Sequence, residues 1–216
     1  LNKASGRQRV AAEFQLLLNN DDFVARRGIP VTERHRYELL AEIAQALAFF
    51  HEREITVGDL SPKNVLFSLS PHVRVYFLDC DSMRFRGHSV VPQVETPDWQ
   101  VRFPDGDEEL ATLATDSYKL ALLALRLLAR DQATRDTVCL PQSVPRAIRR
   151  LVVEGLSAEP AKRPEPRLWV ETMADAAETA SSRPPQRRTG SIPAPKTRSH
   201  SRPTSTAPSA RASTTF

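Results

Sequence analysis

The chain has 216 residues, of which 40% are hydrophobic, enough for one domain with a buried core. No apolar run approaches the roughly 18 residues needed to span a bilayer, and residues 1–9 lack the apolar stretch of a secretory signal. The formal charge of +4 hides a division: residues 183–216 carry seven Lys/Arg and no acid, which leaves 23 basic and 26 acidic side chains in residues 1–182, and a mildly acidic body of this kind lacks the footprint of a specific nucleic-acid binder.

In chain order, residues 10–18 read as a short apolar helix. Thr32-Glu33-Arg34 is a helix start, followed by one apolar stripe at Leu39, Leu40, Ile43, Ala44, Leu47 and Phe50. The period then changes. Residues 64–69 and 73–78 are β-branched and aromatic runs separated by the turn Ser70-Pro71-His72, which predicts a hairpin. Residues 84–107 hold three prolines and read as irregular. A long apolar helix is expected over 108–129, interrupted only by Arg126 within its most apolar stretch. Two more are expected over 144–156 and 166–179, joined through Pro160 and Arg163-Pro164. From about residue 180 the chain is Ser, Thr, Pro, Arg and Ala, too polar to offset its ordering entropy. The expected class is mainly α with a small β-hairpin over 1–180, and a disordered basic tail over 181–216. Cys80 and Cys139 lack metal-ligand spacing and read as reduced thiols of a cytoplasmic chain, with Cys80 packed as a small apolar residue.

The informative stretch is Val57-Gly58-Asp59-Leu60-Ser61-Pro62-Lys63-Asn64, between a helix and a strand. A second acid follows the hairpin, in Phe77-Leu78-Asp79-Cys80-Asp81. Phosphoryl transfer requires this chemistry: one carboxylate to orient the attacking hydroxyl, an amide oxygen and a second carboxylate on Mg²⁺, and a cation against the transferring charge. On their own, Asp59, Lys63 and Asn64 also read as turn and cap residues, and Asp79 as a strand-end turn residue. Asp81 reads as a solvated loop acid or an extra ligand.

These residues resemble the catalytic loop H-R-D-L-x-x-x-N and the later D-F-G of protein kinases. Phe50-His51, Asp116 in Thr115-Asp116-Ser117-Tyr118-Lys119, Arg163-Pro164 and Thr96-Pro97-Asp98-Trp99 stand in the order that family shows. The wording Gly-Asp-Leu-Ser-Pro-Lys-Asn with Asp-Cys-Asp is similar to a divergent bacterial branch. The resemblance implies a kinase-like C-terminal lobe over 1–180, with Asp59 and Lys63 catalytic, Asn64 and Asp79 binding Mg²⁺ and ATP, and Asp116 and Arg163 as structural supports. Asp116 would tie the central helix to the loop. His51 reads as a helix-end hydrogen-bonding residue.

Departures from the pattern are specific. Val57-Gly58 stands where the family has His-Arg, and Asp81 where it has Gly. Phe103 falls where a glutamate partner for Arg163 is expected, and the only lysine before Lys63 is Lys3. The resemblance therefore implies a truncated form without the nucleotide-gripping N-lobe. Such a form is expected to have little activity alone, with apolar residues of 64–78 and 10–18 partly uncovered. The expected activity is ATP- and Mg²⁺-dependent transfer to protein hydroxyls, and the expected partners are a protein substrate and a missing lobe or partner chain. Alternatives are a pseudokinase-like binding module and a small-molecule phosphotransferase similar to those that modify aminoglycosides.

Overall fold

The structure, a computed structural model, describes residues 11–103, 106–107 and 110–184. Within them the chain is mainly helical with small antiparallel sheets. Of the tail expected over 181–216, residues 185–216 lie outside the described residues.

The first segment is not the expected α-helix. Ala12–Glu13 form strand β1, and Phe14–Leu18 a 3₁₀ turn that buries Phe14, Leu17 and Leu18. Two tethers explain this. β1 pairs with a strand of the hairpin, and the Gln15 amide donates to the Pro62 carbonyl at 3.2 Å. The Asn19 side chain then caps the carbonyls of Gln15 and Leu16, which ends the turn after five residues. A short helix α1, Asp21–Arg26, follows with Asn20 as its N-cap.

Helix α2, Glu33–His51, starts where Thr32 predicts. The Thr32 hydroxyl accepts from the His35 amide at 3.0 Å, and the His35 ring accepts from the Thr32 amide at 3.2 Å. This reciprocal cap usually employs Glu or Gln at that place. The expected stripe is buried from Leu39 to Leu47, with Phe50 half-buried against Phe77. Arg36 is buried too, which the stripe alone does not foretell. Its guanidinium donates to the Leu17 and Leu127 carbonyls and pairs with Asp21 at 3.0 Å. Burial, opposed by Asp21, lowers its pKa to about 10.

After β2, Ile55–Thr56, the hairpin forms from β3, Val65–Ser68, and β4, Arg74–Phe77, with Val65 opposite Phe77. The sheet order is β1-β3-β4. Val65 and Phe67 face the core, while Tyr76 and Leu78 are 49% and 44% exposed. The expected uncovering is thus seen on the hairpin, but not at Phe14, Leu17 and Leu18, which the core encloses. The stretch after the hairpin contains β5, Arg84–Phe85, paired with β2, and the two-residue ladder of β6, Arg102–Phe103, with β7, Gly106–Asp107.

Helix α3, Leu113–Ala129, is the centre of the molecule: every residue from Thr115 to Leu128 is buried. Most of its surface is apolar, as a core helix needs, and its buried charged residues are Asp116, Lys119 and Arg126. Its start lies at Leu113, later than the expected residue 108, because Thr112 caps it reciprocally with Thr115 and the Ala111 amide is held by the Gln93 side chain at 2.7 Å. Helix α4, Arg146–Gly155, crosses α3 at a glycine: a Cβ on Gly155 would overlap the Cβ of Ala121. Helix α5, Pro166–Thr179, packs along α2 through Trp169, Met173, Ala176 and Ala177. Among the described residues, no helix is long and apolar enough to cross a membrane. Both cysteines are free, and Cys80 is exposed, not packed as the sequence suggests.

Candidate functional site

The 57–64 loop is organised from below by α3. Asp116 lies in the first turn of that helix, where the helix dipole favours a carboxylate, and its side chain is fully buried. Its oxygens accept from the Val57 amide at 2.7 Å and the Gly58 amide at 2.9 Å, and His51 Nε2 lies 3.1 Å away. A buried carboxylate must be satisfied in this way. The result is one anchor joining the end of α2, the loop and the central helix.

One turn further along α3, Lys119 is also fully buried. Its ammonium donates to the Gly58 carbonyl at 2.6 Å and forms an ion pair with Glu95. Gly58 is thereby held at both its N–H and its C=O. Its φ of +77° falls in the left-handed region, where glycine alone is unstrained, and a Cβ there would sit 3.4 Å from that of Ala111. Glycine is thus the residue this backbone conformation favours.

Asp59 projects from this held segment. Its Oδ1 accepts from the Thr96 amide at 2.9 Å, and its Oδ2 from the Thr96 hydroxyl at 2.9 Å and the Asn64 amide group at 2.7 Å. Asn64 Nδ2 also donates to the Asp59 carbonyl at 3.1 Å, so its amide oxygen is left without a hydrogen bond from the described residues. The Thr96 hydroxyl lies 3.0 Å from that of buried Ser61.

Asp79 reaches the same place from the hairpin. The Leu78 amide donates to the Asn64 carbonyl at 2.8 Å, which continues the ladder past β4 and sets Asp79 beside Asn64. Asp79 has φ +56°, ψ +44°, an unusual conformation for a residue with a side chain and one that Asp tolerates. Its exposed carboxylate has no hydrogen bond or ion pair among the described residues. Asp59, Asn64 and Asp79 line one narrow crevice that, as it stands, is too tight to admit a water molecule. Among the described residues, no three His, Cys, Asp or Glu side chains gather as a metal-binding group; the arrangement here is two acids and an amide.

The remaining residues separate. Lys63 is exposed and lines a neighbouring cleft with Pro97, Trp99, Arg126 and Arg135, not the Asp59–Asp79 cavity. Asp81 is exposed beyond the cavity. Arg163 lies between α4 and α5 and donates to the Ser157 and Ala114 carbonyls, both at 3.0 Å. Its guanidinium also stacks 5.7 Å from the Phe103 ring and 5.2 Å from that of Tyr118. Phe103 thus meets Arg163 as a cation–π partner.

Sequence reasoning missed Lys119 and Glu95. The available signal was a lone lysine three residues after Asp116 in an apolar run, a spacing that puts both on one helix face. A cleft of about 570 Å³ lies elsewhere, between α2, the hairpin turn and α5. Its charged walls already pair internally, Arg34 with Glu38 and Arg74 with Glu42. Compared with protein-family models and with curated proteins, the chain matches none.

Proposed function

We propose that this chain is the acid-bearing half of a phosphoryl-transfer site of the protein-kinase type, acting on protein hydroxyls. The observation that carries the reading is the convergence of Asp59, Asn64 and Asp79 on one cavity, two of them with oxygens left free. These residues suit a hard cation, which prefers carboxylate and amide oxygens. Asn64 and Asp79 would hold Mg²⁺, and with it ATP, whose phosphoryl group is the one transferred. Asp59 would orient the acceptor hydroxyl and take its proton, a role that needs a fixed carboxylate. Thr96 and Asn64 provide that fixing, and Asp116 and Lys119 hold the backbone beneath it. Lys63 supplies positive charge on the acceptor side.

Among the described residues, no glycine-rich loop or strand lysine grips the phosphates, so the 216-residue chain alone is expected to turn over far below the about 1–100 per second usual for kinases. A second reading, a binding module that has lost transfer, is favoured by one feature: both oxygens of Asp59 are already engaged within the chain.

Two measurements separate these readings. Mn²⁺ with ATP, followed by NMR, should broaden the signals of residues 59, 64 and 79 first, and Asp79→Ala should abolish that pattern. With the chain joined to a nucleotide-binding lobe, Asp59→Ala and Asp79→Ala should each abolish transfer of labelled phosphate. Selective broadening without transfer would support the binding module. Broadening elsewhere, or activity surviving in either variant, would refute the assignment of these acids.

A further inference from the structure

Beside the Asp59 cavity lies a cleft of about 400 Å³ whose polar lining is strongly biased in sign. Lys63, Arg126 and Arg135 face it, against the single carboxylate of Asp98. This runs counter to a body that carries more acid than base. Arg126 is nearly fully buried, and its guanidinium donates to the Thr134 carbonyl at 3.0 Å and the Asp98 carbonyl at 3.3 Å. It stacks 4.5 Å from the Trp99 ring. Arg135 donates to the Tyr118 hydroxyl and to the carbonyls of Asp98 and Gln100. Neither arginine forms an ion pair with a described residue. Burial first, and the neighbouring Arg135 charge second, lower the Arg126 pKa. Two guanidiniums are thus packed together with hydrogen bonds only to neutral acceptors, the Asp98 and Asp131 carboxylates offsetting part of their charge from a distance, an arrangement an incoming anion would relieve further.

The cleft is contiguous with the acid. Lys63 adjoins Asn64 and Pro97 adjoins Thr96, the two residues bonded to Asp59. One residue step is about 3.8 Å. Pro62, Pro97 and Trp99 give the cleft apolar walls, which suit the carbon stem of a side chain better than a free inorganic ion.

We infer that this cleft receives an acidic side chain of the acceptor polypeptide, a residue or a few away from the hydroxyl presented to Asp59. The inference deepens the phosphoryl-transfer reading by naming its substrate class, an acidic protein segment, and its test is independent of transfer. A fluorescent peptide with one serine flanked by glutamates is titrated with the full 216-residue chain, alongside the same peptide with glutamines. The glutamate peptide should bind at least tenfold tighter, with the ratio falling as salt rises.

Lys63→Ala removes a side chain with no intramolecular bond, so it should keep the fold and cut the ratio several-fold. Arg135→Ala should cut it further, and Arg135→Lys should restore part. Arg167→Ala, which removes an exposed positive charge on α5 outside this cleft, should leave the ratio intact. Equal binding of the two peptides, no saturable binding of the glutamate peptide, or an undiminished ratio in Lys63→Ala would overturn the inference. So would complete displacement by inorganic phosphate at matched charge, which would assign the cleft to a small anion. A tenfold ratio in a chain that never transfers phosphate would remove the proposed catalysis and leave the acidic-segment site standing.

Discussion

The carboxylate of Asp116 is the point on which the site geometry depends, and removing it has a size that can be worked out. Asp116→Ala leaves the Val57 and Gly58 amides, both buried, without their acceptor. Each orphaned buried amide costs about 1–3 kcal/mol, so the pair costs about 2–6 kcal/mol. The third partner, His51, is 12% exposed and can turn toward water, so it adds little. Against a typical stability of about 5–15 kcal/mol this is a large fraction. Asp116→Asn keeps the shape but sets an NH₂ against one of the two amides, so it should recover no more than one of the two bonds.

Urea unfolding followed by circular dichroism measures the global cost of Asp116→Ala. Hydrogen exchange of the Val57 and Gly58 amides reads the local consequence: both should exchange faster in Asp116→Ala and at least one of them in Asp116→Asn, by more than the change in global stability accounts for. A cost below about 0.5 kcal/mol, the level usual for featureless surface positions, with unchanged exchange at both amides, would refute the claim that this carboxylate holds the loop.

Gly58→Ala forces a side chain into the left-handed region, at about 1–2 kcal/mol, and a thermal melt should drop by about 2–8 °C; an unchanged melt would mean the loop relaxes without cost. Lys119→Ala strands Glu95 and the Gly58 carbonyl and should cost about 3–5 kcal/mol in urea, unless Glu95 swings into water, in which case the loss is far smaller and the pair is ornamental to the fold. Gly155→Ala pushes α4 off α3 and should cost about 1–3 kcal/mol, and a neutral or stabilising result would disprove the close crossing at Ala121.

The helices were legible from sequence because their signals are local. Thr32 begins α2, and the spacing from Leu39 to Leu47 marks its buried face, both readable within a few turns. The hairpin and its turn were legible for the same reason, since β-branched and aromatic runs flanking Ser70-Pro71-His72 describe themselves. Asp59, Asn64, Asp79 and Asp116 could be singled out by residue type and order. What joins them could not be read locally: Asp116 lies 59 residues from Val57, and Thr96 lies 37 from Asp59. The Arg163 contact with Phe103 and the burial of Arg36 beneath Leu17 and Leu127 depend on such separations too. The first segment shows the converse. Residues 12–18 have the composition of a short helix, but pairing with β3 and the tether to Pro62 make them a strand and a 3₁₀ turn. Propensity over so few residues is worth less than the hydrogen bonds and burial gained by docking on the hairpin. Sequence alone therefore located the longer helices α2, α3, α4 and α5 and singled out the acids by type and order. The tertiary structure decided that Asp59, Asn64 and Asp79 share a cavity and that Lys63 faces the cleft beside it, because those placements come from contacts between segments distant in the chain.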